Sequence, residues 1–159
     1  MLGAWLTGAR VVRVVLHPLS ISRTDVSENQ RPLLVVWAGP IVGSALPPLF
    51  WWFSTRFWRR TAFLWRFFAG FCLVANGAYI GLGSFARVGD CGDMLRHGSP
   101  IGWLWLFGAA AMPLGLWLCH GQGVHFGFGA AHGVVDYGAA RLALAVAALL
   151  VAVGWVIGG

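Results

Sequence analysis

Lysine is absent from this chain, and acidic residues are scarce: Asp25, Glu28, Asp90, Asp93 and Asp136 are all there are in 159 residues. Only 10% of the residues are charged, where a soluble domain carries about a quarter. So little polar surface cannot solvate a globule, which excludes a water-soluble class. Cysteine is limited to Cys72, Cys91 and Cys119, with no CxxC spacing. Neither a disulfide framework nor a thiolate zinc site is indicated. No basic stripe stands on a soluble face, so nucleic acid is not an expected partner. Residues 1–7 are apolar but too short for a signal-peptide core, and no charged segment precedes them. Polar residues inside the apolar stretches are few (Ser44, Asn76, Tyr79), which argues against a water-filled pathway.

What the chain does contain is hydrophobic length. Hydrophobic residues make up 58% of the sequence and the mean hydropathy is +0.74. The net charge of +6 comes from eleven arginines, most of them between apolar segments, where they orient the chain and meet lipid headgroups. The composition predicts an all-α polytopic membrane protein whose first partner is the lipid bilayer. An N-terminal arm over residues 1–32 precedes a membrane domain over 33–159.

Residues 9–26 differ in kind from the rest. Val12, Val14 and Leu16 alternate with Arg13, Val15 and His17, and Leu19, Ile21 and Arg23 with Ser20, Ser22 and Thr24. Period two predicts a short β-hairpin about His17-Pro18. Four spans follow, over about 33–53, 61–86, 100–119 and 140–157. The first holds Gly39-Pro40 and Pro47-Pro48, so a kink or break is expected there, with Gly39, Gly43 and Ser44 as a close-packing face. Residues 54–60 are read as a loop carrying Arg56, Arg59 and Arg60, and Arg66 just inside the second span is expected to snorkel. With four spans, the arm and the 87–99 loop share one side of the membrane, and the 54–60 and 120–139 loops share the other. Arginines divide six against five between these sides, which leaves the orientation undecided.

Three groups of residues have chemical potential. Asp90 and Asp93 stand three apart just past the second span, so on a helix they share a face, and charge beside hydrocarbon marks a functional site by default. The bland reading makes them solvated loop acids paired with Arg87 and Arg96. Asn76, deeper in the same span, is a candidate for holding substrate or a ligand by hydrogen bonding. In the Gly-rich loop, His120, His125, His132 and Asp136 suffice in number for zinc, with His132 and Asp136 at helical spacing. That loop has six glycines and lies opposite the aspartates, which favours an interfacial loop over a metal site.

The run LTGARVVRVVLHPLSISRT, then VVWAGPIVGSALPPL, then NGAYIGLGSFARVGDCGDML resembles the intramembrane zinc metallopeptidases of the site-2-protease type, in their short bacterial form. The similarity covers residues 1–100. In that family a membrane helix carries HExxH and leads into a β-hairpin. A helix with Gly-Pro follows, and a later helix supplies an aspartate as third zinc ligand. Two histidines at i and i+4 bind zinc, the glutamate between them acts as base, and one position stays open for water and substrate. The resemblance implies zinc as cofactor, Asp90 or else Asp93 as metal ligand, a peptide or membrane-protein substrate, and residence in a bacterial inner membrane. The sequence departs from the family in two ways. It has no HExxH, its one glutamate (Glu28) having no histidine near it, and it reads Gly-Asp-Cys-Gly-Asp where the family is nearer Asn-Pro-Asp-Gly. A start site upstream of Met1, or a degenerate relative, is the expectation, and the chain as written is expected to be inactive. The alternative is a non-catalytic membrane scaffold or transporter-associated protein.

Overall fold

The structure is a computed structural model that describes residues 11–15, 23–26, 32–87 and 89–158. Two short strands, β1 (Val11–Val15) and β2 (Arg23–Val26), pair antiparallel, with Val11 opposite Val26 and Val15 opposite Arg23. The expected turn at His17-Pro18 lies outside the described residues, as do the arm's first ten residues.

The membrane domain is built from α1 (Pro32–Phe57), α2 (Ala62–Ala86), α3 (Asp90–Arg96), α4 (Ile101–Cys119) and α5 (Tyr137–Gly158). Short 3-10 turns occupy Arg59–Thr61, Gln122–Phe126 and Gly129–Ala131. Among the described residues, four helices (α1, α2, α4 and α5) are long and apolar enough to cross a membrane. At 1.5 Å per residue, even the shortest of them, α4, reaches about 28 Å. Large apolar side chains face outward along all four, among them Leu49, Leu82, Leu116 and Val156, as a lipid-immersed surface requires.

Two expectations are corrected. Of the kink or break expected in the first span, the break does not form, and the span does not stop at residue 53: α1 is helical without interruption through Pro40, Pro47 and Pro48 to Phe57. Hydrocarbon offers no other hydrogen-bond partner to a backbone that leaves the helix, so a proline there removes single bonds without ending the element. Residues 87–99 are not a simple loop, because α3 forms within them. Its Cys91 and Met94 are fully buried against Ile80 and Leu104, while Asp90, Arg96 and His97 are exposed. This amphipathic turn lies across the helix ends and closes that end of the core.

The centre of the domain is the antiparallel pair α2–α4, which meets along small residues. A Cβ on Gly81 would stand 3.0 Å from the Gly108 Cα, and one on Gly115 would stand 2.6 Å from the Gly70 carbonyl oxygen. Gly77 lies as closely on Ala111 and Met112. Backbones therefore touch over about three turns, which membrane helices use because lipid provides no hydrophobic drive for their association. Trp105 closes the seam near one end, its Nε1–H donating to Ser84 Oγ at 3.1 Å. Helix α1 crosses α2 antiparallel, with Gly43 against the Asn76 side chain and Phe50 stacked on Trp65. Near its start, Trp37 meets Phe107 edge-on and donates its Nε1–H to Ser99 Oγ at 3.2 Å. By contrast, α5 is only 6% buried.

Gly108→Leu, which drives a branched side chain into the Gly77–Gly81 backbone, should lower stability in detergent by at least the ~1–3 kcal/mol typical of overpacking. Gly39→Ala, with nothing within 4 Å of its Cβ, should leave the melting temperature close to wild type. Equal melting temperatures for the two variants would refute the seam as the organising contact.

Candidate functional site

The acidic turn is placed by three local features. Helix α2 ends on Arg87, whose backbone takes the left-handed conformation at φ 53° and whose N–H bonds the Gly83 carbonyl at 3.1 Å. Glycine is the usual residue at such a cap. Gly89, at φ +62°, then turns the chain back, and a Cβ there would stand 2.5 Å from the Tyr79 hydroxyl, so both conformation and space call for glycine. That hydroxyl accepts the Asp90 backbone N–H at 3.3 Å. Cys91 Sγ donates to the Tyr79 carbonyl at 3.1 Å. Tyr79 thus ties α3 to the last two turns of α2, which its apolar surroundings did not announce.

The two carboxylates have different surroundings. Asp93 Oδ1 lies 3.2 Å from Arg96 Nη1, and the Asp93 carbonyl meets His97 Nδ1 at 2.7 Å. Half of the bland reading therefore holds, since Asp93 has its arginine. Asp90 has no ion pair among the described residues. It is exposed as a residue, yet desolvation beside the helix ends raises its carboxyl above the ordinary value, and the like charge of Asp93 pushes the same way. Burial likewise raises the Cys91 thiol, so this sulfur is not a ready thiolate.

Asn76 does not join them. It stands ten residues before the end of α2, about 15 Å along the axis. Its Nδ2 donates to the Cys72 carbonyl at 2.8 Å, and its side chain fills the crossing at Gly43. The proposed metal and substrate residues thus form two places, with Tyr79 beside the acids.

At the opposite end of the bundle the histidines scatter. His125 stacks on Phe63 at 4.6 Å between ring centroids. His132 sits in a left-handed turn at φ 47°, so it does not share a helical face with Asp136. Asp136 instead caps α5, its Oδ1 accepting the Gly138 and Ala139 N–H groups at 2.8 and 3.1 Å. Its Oδ2 lies 3.5 Å from Arg60 Nε. The Ala139 bond is the first cause, with the Gly138 bond and Arg60, holding this carboxyl below the usual range against a smaller desolvation cost. Arg66 does not snorkel to solvent alone, since its Nη2 donates to the His120 carbonyl at 3.2 Å. Among the described residues, no three His, Cys, Asp or Glu side chains stand together as a metal site would need.

No family model matches the chain, and neither a curated protein nor a solved structure matches it.

The raised Asp90 carboxyl has a sign that can be tested. The folded state holds this proton to higher pH than the unfolded state does. Stability therefore falls as pH rises from the ordinary carboxylate value through the raised one. Asp90→Asn should match wild type at low pH and exceed it above that window in melting temperature measured against pH. A variant that is less stable at every pH would contradict the assignment.

Proposed function

We propose that the chain is a membrane domain of the site-2-protease type, in which the Asp90–Asp93 turn supplies the carboxylate arm of a zinc site at the membrane boundary. The observation that carries this reading is the junction of Trp37 with Ser99. It sets the acid turn beside the start of α1, the end of the bundle from which the strand pair leads in. β2 ends at Val26, six residues before Pro32, so chain reach keeps it within about 22 Å of that end. Strands, a Gly-Pro helix and an acid turn at one membrane face follow the order of that family. On this reading the protein belongs to a bacterial inner membrane, and its substrate is a peptide or a membrane protein. Asn76, at the α1–α2 crossing, is the polar group that substrate or a ligand would meet.

The donor set here does not by itself fit zinc. Zinc takes four nitrogen, sulfur or oxygen ligands, at least three of them from protein. The turn offers two carboxylates, one of them shared with Arg96, while the Cys91 sulfur faces the Tyr79 carbonyl. Asp90, free of an ion pair among the described residues, is the better single ligand. The remaining ligands and the base would belong to an HExxH helix, so no hydrolytic step is assigned to this chain's own residues. A non-catalytic scaffold is the second reading. It is favoured by the Asp93–Arg96 pair and by a core held through glycine contacts that need no metal.

Protein made from its native locus and purified in detergent separates the two by intact mass and by zinc content. The protease reading expects a product that carries HExxH and about one zinc per chain, lost in Asp90→Ala/Asp93→Ala. Stoichiometric zinc that survives the double substitution would overturn the assignment of this turn. A product without HExxH and without zinc would leave the scaffold.

A further inference from the structure

The end of the bundle away from the aspartates holds a cavity of about 570 Å³. Its polar lining is Arg59, Arg60, Arg66, Gln122, His125 and Asp136, and its apolar wall includes Trp51 and Phe63. Arg59 and Arg60 come from the turn between α1 and α2, and Arg66 from the second turn of α2. Gln122 and its neighbours arrive from the far side of α4. Three arginines and one carboxylate line it, and that carboxylate, Asp136, is taken up by Arg60 and by the α5 cap.

Arg66 is the fixed element. With the Gln122 amide turned oxygen toward it, the orientation that satisfies both groups, Arg66 Nε and Nη1 donate to Gln122 Oε1 at 2.9 and 3.0 Å. Nη2 donates to the His120 carbonyl, and the guanidinium carbon lies 6.0 Å from the centroid of the Trp51 ring. Gln122 is 3% exposed, so this scaffold is built into the fold. Among the described residues, every partner of Arg66 is neutral. A guanidinium has five N–H donors, of which three are used among the described residues, where no carboxylate matches its charge.

We propose that this cavity binds the phosphate headgroup of an anionic glycerophospholipid. Guanidinium pairs suit phosphate because the planar fork matches two of its oxygens, and basic pockets at helix ends in membranes recognise such headgroups. The lipid source follows from position and lining. The cavity sits where α1, α2 and α4 reach the boundary of the bilayer, and Trp51 and Phe63 give it an apolar side on which a glycerol backbone and the first acyl carbons can rest. A soluble phosphate has no use for that wall. The site is independent of the acid turn at the other end and of what that turn does.

Native mass spectrometry of the full chain in detergent tests this, with phosphatidylglycerol and phosphatidylcholine of matched acyl chains as probes. Phosphatidylglycerol should be retained at least about tenfold better, since several basic side chains contribute about fivefold each. Arg59→Gln, which touches neither the Arg66 scaffold nor the α5 cap, should weaken retention about fivefold, and Arg59→Gln/Arg60→Gln further. Arg59→Lys should recover most of it, and Asp90→Asn should change nothing. Circular dichroism confirms that each variant is folded. Equal retention of the two lipids, or undiminished phosphatidylglycerol binding in the folded double variant, would overturn the proposal. Displacement of the lipid by inorganic phosphate at matched concentration would do so too, because it would make free phosphate the ligand.

Discussion

Backbone contact between α2 and α4 is the constraint from which the rest of the architecture follows. In lipid, helices gain little by burying leucine against leucine, so association depends on how closely the main chains approach. Gly70, Gly77 and Gly81 on one helix and Gly108 and Gly115 on the other allow that approach. It fixes the register of the pair, and the register decides what lies at each end. At one end it brings Ser84 to Trp105 and seats α3 under Ile80 and Leu104. At the other it brings the chain after Cys119 back over Arg66. Both polar assemblies of this protein are thus consequences of one apolar seam.

The two ends are built on opposite electrostatic plans. The acid turn pairs Asp93 with Arg96 and leaves Asp90 without an ion pair among the described residues. The far end concentrates Arg56, Arg59, Arg60, Arg66 and Arg141 against Asp136 alone. Arginine in every basic position, with lysine nowhere, suits this plan. The guanidinium holds its charge at any physiological pH and accepts several hydrogen bonds' worth of geometric constraint, as Arg66 does between His120 and Gln122.

Much of this fold is legible in the sequence, and the reasons are local. Apolar runs bounded by arginine or proline mark α2 and α4 closely, because a charge or a ring at the boundary stops a span for energetic reasons that act on single residues. The prolines of α1 do not end the helix, because a missing N–H costs single bonds while the bilayer offers the backbone no alternative partner. The seven residues of α3 are too short for periodicity to reveal, although Cys91 and Met94 against Asp90 and Asp93 carry its two faces in outline. The Tyr79–Asp90 link depends on Gly89 having a positive φ, and the Arg66–Gln122 scaffold joins residues 56 apart in sequence. Topology places both of that scaffold's partners on one side of the membrane, but only the seam's register makes them touch.

The slight burial of α5 has a consequence for cooperativity. Helices α1, α2 and α4 share a packed interior, so each loses its partners when another leaves, and the three form a single unfolding unit. Helix α5 is joined to them at its root by the Asp136 cap and the Arg60 pair, and most of its length is exposed. Its residence in the bilayer rests on its own transfer free energy, and that of the other three on one another. The three packed spans and the largely exposed fourth thus differ in how much of their stability is shared. Withdrawal of α5 from the bundle leaves the acid turn, the glycine seam and most of the basic cavity in place.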